Sequence, residues 1–557
     1  MEAFGVCPGT ARAGEGAGHH TEPAIRTLIP GMLTAPPLAA RRIPLARPRH
    51  HPCKLPRMNV RNALGLLAIP LLLACPGENK SGGTAKDTLV MAFKASPTNL
   101  DSRVGNDNYS GRAGELIYSG LIKVTPNFDY APDLATKWET PDDRTLIFHL
   151  NPAAKFHNGQ PVKAADVKWT YESLMAPDFI SSKKSGYAAV DHIEAPDDYT
   201  VIFRLKEPNP GILDNLTVGI LPTGADTNVY KTKPIGCGPY KVVEYKPDDR
   251  LVLEAFDQWH GGVPKIKHII IRMIPDATTL VLELKRGSVQ MEVNCIPFEN
   301  VPQFEKDPQF KVVKSPGSVY QYVAFNLHDP LLAKKEVREA IAHAIDRERI
   351  IRDIQRGYAV PTETMLADGH WAHAEGLTSY GHDPNKAKQL LAQAGVKNPS
   401  FVFKTSTDAE ANSRAQVIQQ MLKGAGIDMT IQSNETSTFL ADIQKGNFQM
   451  YSLSRNGVSD PDFYYVIFYS KNIPPEGQNR GYYANLRVDQ LLIQGRSTFD
   501  HAKRREAYVE LQKIVADELP YISLYHQSNV TIMRNNIDGY VQYPAGFLLS
   551  VPEMSIR

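Results

Sequence analysis

Hydrophobic and polar positions alternate with two periods along the chain. Leu89-Val90-Met91-Ala92-Phe93 is an unbroken apolar run of strand length. Thr145–Leu150 and Thr200–Leu205 alternate apolar with polar, the period of a half-buried strand. Residues 251–255 and 269–272 continue the β pattern. Helical spacing governs 108–122, which carries Leu116, Ile117 and Leu121, and a further helix begins across 164–171. Residues 337–351 and 384–394 read as amphipathic helices. The last is punctuated at both ends, with Asp383 as cap, Pro384 in the first turn and Gly395 past the last apolar residue. Asn158-Gly159 reads as a hairpin-like turn, because glycine takes positive φ at little cost. Strands and helices interleave with no internal repeat, which predicts a mixed α/β chain of several lobes.

Composition changes this picture at the N-terminus. The whole chain, 557 residues with 42% hydrophobic and 22% charged, has the balance of a water-soluble globular protein. That balance excludes collagen, wholesale disorder and a polytopic membrane fold. The first 57 residues differ: nine prolines, eight Lys/Arg, three Glu and no periodic apolar pattern. At Met58 the character shifts. Met58-Asn59-Val60-Arg61 is a short positive start, 63–73 is apolar apart from Gly65 and Pro70, and Leu72-Leu73-Ala74-Cys75 closes the run. This is the layout of a secretory signal peptide, too short to span a bilayer. Its Leu-x-Ala-Cys ending resembles a bacterial lipobox, which implies lipidation of Cys75. The expectation is that translation starts at Met58, that 1–57 is a non-native, disordered upstream extension, and that 58–74 is a lipoprotein signal. The small, polar 75–86 then serves as a flexible tether.

Charge follows the same division. Nine of the 62 Lys/Arg and three of the 60 Asp/Glu precede Cys75, leaving 53 against 57 over 483 residues, a net −4. No basic excess for nucleic acid remains. Two cysteines follow Cys75, Cys237 and Cys295, and an exported location permits either a disulfide or two buried thiols. Neither has metal-ligand spacing around it. His370 and His373 form a His-x-x-His in a polar loop without a local ligand set beyond Asp368, so no metal and no cofactor is expected. Ser181-Ser182-Lys183-Lys184 has the Ser-x-x-Lys spacing of a hydrolase, with only Lys404-Thr405-Ser406 as a poor second element. The chain is therefore read as not an enzyme, with a secreted Ser-x-x-Lys hydrolase as the alternative.

Longer motifs carry a family resemblance. Pro132-Asp133-Leu134-Ala135-Thr136-Lys137-Trp138-Glu139 and Lys155-Phe156-His157-Asn158-Gly159-Gln160-Pro161-Val162 come first. Ile235-Gly236-Cys237-Gly238-Pro239-Tyr240, Tyr322-Val323-Ala324-Phe325-Asn326, Asp383-Pro384-Asn385-Lys386-Ala387, Asp460-Pro461-Asp462 and Gly481-Tyr482-Tyr483-Ala484-Asn485 follow in order. Together they resemble the family 5 extracellular solute-binding proteins of ABC transporters, over about 87–550. Most of these residues read as fold-forming: Trp138 and Phe148 as core aromatics, Asp166 as a helix-start residue.

The resemblance implies a periplasmic-binding-protein-like hinge fold (type II, cluster C) of two lobes with an extra small lobe. Lobe I would use 87–122, 223–300 and 506–557, the small lobe 123–222, and lobe III 301–505. It implies capture of a peptide or peptide-like solute between lobes I and III, and delivery to an ABC permease and its ATPase. The chain would be a monomer held at the cell envelope by its lipid. An oligosaccharide, opine or metal chelate is the alternative ligand. In peptide-binding relatives an Asp three residues before the Asp-Pro pair grips the ligand's ammonium; here that position is Gly457. The candidate ligand residues are Arg455, Asn456, Gly457, Asp460, Asn326, Asn108, Tyr109 and Trp371. Arg455 offers a guanidinium suited to a carboxylate or phosphate.

Overall fold

The computed structural model describes residues 87–557 apart from Asn456. The expected upstream extension, signal segment, tether and Cys75 lie outside the described residues. Among the described residues no helix is long and apolar enough to cross a membrane.

One sheet of eleven strands runs through the molecule. Its middle is a pair of long antiparallel strands, Phe310–Phe325 and Tyr521–Arg534. On one side of this pair lie Met291–Val293, Thr88–Phe93, His268–Met273, Arg250–Ala255 and Tyr240–Lys246, the sheet of lobe I. On the other lie Met450–Arg455, Ser400–Ser406 and Asp428–Asn434, the sheet of lobe III. The short Ala359–Pro361 pairs with Tyr521–Arg534 as well. The two long strands therefore cross from lobe to lobe, and their ladder is irregular between Pro316 and Val319. Gly317 permits that irregularity, since a Cβ there would lie 2.2 Å from the Gln527 carbonyl oxygen.

A separate antiparallel sheet, Ala135–Asp142, Thr145–Leu150, Thr200–Leu205 and Val190–Glu194, makes the small lobe. The helix Ala164–Met175 closes it, with Tyr171 edge-on to Phe203 at 5.3 Å and Phe148 edge-on to Phe203 at 5.8 Å. Cys237 of the Gly-Cys-Gly-Pro turn enters this core, whereas Cys295 packs in lobe I; both are free thiols. Burial pushes each thiol up to about 12.

Several boundaries differ from the sequence reading, each for a local reason. The helix expected over 108–122 is Asn108–Ile117, capped by Asp107, whose carboxylate accepts from the N–H groups of Tyr109 and Ser110; Tyr118 is already extended. The single helix expected over 337–351 is two, Lys335–Ala344 and Arg347–Asp353, because Asp346 turns its carboxylate to the Arg349 N–H at 2.9 Å and caps a new start. Lobe III does not begin at 301: Val301, Phe304 and Phe310 pack in a lobe I core with Leu280 and Leu284. Nor does the chain return to lobe I at 506. The helix His501–Glu518 packs Ala507, Tyr508 and Leu511 against Tyr322, Tyr464 and Leu491 of lobe III, so both crossings fall inside the long strands.

Candidate functional site

A cavity of about 700 Å³ lies between lobes I and III, beside the irregular step of the long strands. Lobe I contributes Lys94, Asn108, Arg112, Cys295 and Glu299 to its wall, and lobe III contributes Ser318, Gly457, Ser459 and Gln527. Lys94, Arg112 and Glu299 make no contact ion pair within the described residues, so the cavity wall carries charge of both signs, with Arg112 also drawn to the buried Glu292. Arg112 is 3% exposed and donates to the Val293 carbonyl at 2.9 Å, while its Nε is buried without a partner. Beneath it, Glu292 is fully buried and accepts from the Cys295 N–H at 2.6 Å. Burial raises the Glu292 carboxyl to about 7, against the opposing pull of that N–H and of Arg112.

A hollow of about 280 Å³ continues the cavity into lobe III, sharing Val319, Glu410 and Gln527 with it. Its charged wall is the first turns of the helix Ala409–Gly424, which Asp408 caps by accepting from the Ala411 N–H at 3.0 Å. One helical turn separates Glu410 from Arg414, and their side chains pair at 2.9 Å. The Arg414 side chain is 6% exposed, also donates to the Tyr525 hydroxyl at 3.2 Å, and keeps a buried Nε without a partner. Gln355 beside it donates to Glu410 and Tyr525 and leaves its carbonyl oxygen unpartnered.

The residues singled out in the sequence fall into two groups. Asn108 and Gly457 line the interlobe cavity from opposite lobes. Gly457 has φ +52°, and a Cβ there would have only Ser318 Oγ near it, at 3.9 Å. Tyr109 is one residue from the wall and lies against Phe93, ring centroids 5.0 Å apart; burial pushes its phenol up to about 12. The others serve elsewhere. Arg455 lines neither hollow: its strand pairs Arg455 with Tyr320, and its guanidinium lies 4.0 Å over the Phe463 ring. Asp460 is buried against Arg504, at 2.7 Å. Asn326 ends its strand by donating to the carbonyls of Gly446 and Phe448, at 3.1 and 2.9 Å. Trp371 lies against the tilted His501 ring, centroids 4.0 Å apart, under the Arg504 guanidinium. Asn456 lies outside the described residues.

Two further motifs have local roles. His370 has both ring nitrogens engaged, with the Ser459 carbonyl at 3.1 Å and the Ala372 N–H at 3.0 Å, and His373 faces Asp368 at 3.3 Å. Ser181 donates to the Arg103 carbonyl at 2.6 Å and Lys184 to the Ala176 carbonyl at 2.6 Å, so the Ser-x-x-Lys spacing does not join a nucleophile to a base. Sequence reasoning did not pick out Lys94, Arg112, Glu299, Glu410 or Arg414. The Glu410–Arg414 spacing on an amphipathic helix was the one signal available for the last pair.

The fold agrees with comparison to known proteins. The profile of the bacterial extracellular solute-binding proteins, family 5 (middle), matches residues 129–475. The chain belongs to this family. It is 27% identical over 540 residues to the oligopeptide-binding protein AppA of Bacillus subtilis (strain 168), covering 88% of this chain and 98% of that protein. The structure of AppA from Bacillus subtilis in complex with a nonapeptide superposes with a TM-score of 0.68 at 25% identity, covering 84% of this chain and 99% of that one. NikZ from Campylobacter jejuni in complex with Ni(L-His) superposes with a TM-score of 0.69 at 25% identity, covering 85% and 100%.

Proposed function

We propose that this protein is the substrate-binding component of an ABC importer and captures a peptide or peptide-like solute between lobes I and III. The observation that carries this reading is the interlobe cavity of about 700 Å³, walled by both lobes and lined by side chains of both charge signs. A zwitterionic chain complements such a wall better than a neutral sugar does. Arg414 is the carboxylate anchor in this reading, because a buried guanidinium with spare donors suits a bidentate acid. Closure about the two long strands captures the ligand, and the closed state binds it more tightly than the open one. The bound shape is presented to a membrane permease and its ATPase. A lipid on Cys75 holds the monomer at the envelope, outside the cytoplasm, and the chain carries out no catalysis.

Native mass spectrometry of the purified full chain, followed by denaturation and identification of what is released, tests this. A released peptide is the expected result. A sugar, an opine or a metal chelate in its place overturns the peptide assignment.

A further inference from the structure

Another hollow, of about 240 Å³, lies between lobe I and the small lobe, and the reading above leaves it unused. Phe547 lines both this hollow and the interlobe cavity, and so forms the partition between them. A cavity of roughly 150 Å³ admits benzene, so this one has room for a small organic molecule.

One wall is the helix Asn108–Ile117, and two of its residues at the hollow are glycines. A Cβ at Gly111 would meet nothing within 4 Å, and one at Gly114 only the Tyr118 ring, at 4.0 Å. Glycine inside a helix costs about 1 kcal/mol against alanine. The sequence carries that cost twice on the face that borders the hollow.

Two ionisable groups of opposite sign reach the hollow with their counter-charges out of contact, Arg112 for Glu115 and Asp101 and Asp107 for Lys183. Glu115 accepts from the Leu548 N–H at 2.5 Å, and Lys183 donates to the Ser102 carbonyl at 2.6 Å. Neither is in an ion pair within the described residues. A carboxylate offers about four acceptor positions and an ammonium three donors, so both keep capacity. Burial pushes Glu115 up to about 8 and Lys183 down to about 8, so the hollow by itself favours the neutral carboxyl, and an entering ammonium draws Glu115 into its charged form. The neighbouring acids are engaged: Asp101 with Arg103 at 2.7 Å, Asp133 with the Gly120 N–H at 3.1 Å and His260 at 3.2 Å. Lys123 is the remaining charge on the wall.

We propose that this hollow is a second binding site, for a small zwitterion of the α-amino acid type, its carboxylate toward Lys183 and its ammonium toward Glu115. The glycine face of the helix borders the room, and the two groups of opposite sign supply the recognition. The site is independent of the peptide reading of the interlobe cavity.

Calorimetric titration and thermal melting of the full chain with each free L-amino acid, up to about 10 mM, test the proposal. At least one amino acid should bind and raise the melting temperature. Gly111→Leu, Glu115→Gln and Lys183→Met should each weaken that binding tenfold or more, while Arg414→Ala leaves it within about twofold. Gly111→Leu fills space, so its melting temperature without ligand should hold or rise; the two charge variants serve if it does not fold. Failure of every amino acid to bind overturns the proposal and identifies a hydrated packing gap. Loss of binding in Arg414→Ala alone also overturns it and moves the amino acid to the interlobe cavity.

Discussion

The Nδ1 of His157 accepts a hydrogen bond from the Gly236 N–H at 3.2 Å, and its Nε2 donates to the Gly238 carbonyl at 3.2 Å. The bond to the amide fixes the neutral tautomer. It also joins the Phe-His-Asn-Gly turn of the small lobe to the Gly-Cys-Gly-Pro turn of lobe I, two motifs about eighty residues apart. Burial lowers the imidazole from 6.5 to about 4. The unfolded chain therefore takes up this proton near pH 6.5, and the native state only near pH 4. The contribution is fully present above the unfolded value and is lost as pH falls through that window. At pH 5 the cost is about 2 kcal/mol for this one group. Urea titrations at pH 7 and pH 5 should show a smaller difference for His157→Gln than for the native chain. Equal differences would exclude His157 from the acid response.

Asp460 opens the Asp-Pro-Asp motif and is a supporting residue. Its pairing with Arg504 leaves both side chains at 8% exposure or less. Breaking a buried pair by removing one partner typically costs 3–5 kcal/mol. Arg504→Ala should therefore lower unfolding stability by about that amount, with ligand affinity unchanged in the fraction that remains folded. A stability loss below about 1 kcal/mol would show that the pair is solvent-screened.

Arg414 and Arg455 make a direct comparison of two guanidiniums. The first lines the lobe III extension of the cavity with spare donors, and the second covers Phe463. Arg414→Ala should weaken binding of an unmodified peptide by more than tenfold, about 1.4 kcal/mol or more. Arg455→Ala should change it by less than about twofold and cost only its ring contact, roughly 0.5–1 kcal/mol of stability. The reverse ranking in calorimetric titration would return the carboxylate to Arg455.

Gly457 tests whether an ammonium anchor can be restored. Its left-handed backbone is one that aspartate tolerates better than most residues, and the Cβ position is open apart from Ser318. Gly457→Asp should strengthen binding of a dipeptide with a free amino terminus and leave its N-acetylated form unchanged. Parallel gains for both forms would mean that the carboxylate acts on something other than the ammonium.

Local sequence was enough for the elements and for the class. The apolar run at 89–93, the alternating stretches at 145–150 and 200–205, the Asp383-Pro384 start and the Gly395 stop are short-range signals, and the chain obeys them because caps and alternation act within a turn or a strand. The family motifs were equally visible, since each is a contiguous turn or helix start.

What the sequence did not contain was which side chains share a wall. Arg455 and Gly457 are two residues apart, a spacing that would share a face within one strand, yet one covers Phe463 while the other lines the cavity, because the strand ends at Arg455 and Gly457 lies beyond it with a left-handed backbone. Arg112 and Glu299 come to the same cavity from distant segments, which only the lobe I sheet brings together. The lobe boundaries escaped for a related reason: hydrophobic period marks an apolar face, and packing decides which neighbour covers it. The assignment of the helix His501–Glu518 to lobe III rests on Tyr508 and Leu511 packing with Tyr322 and Leu491, contacts set by tertiary structure alone.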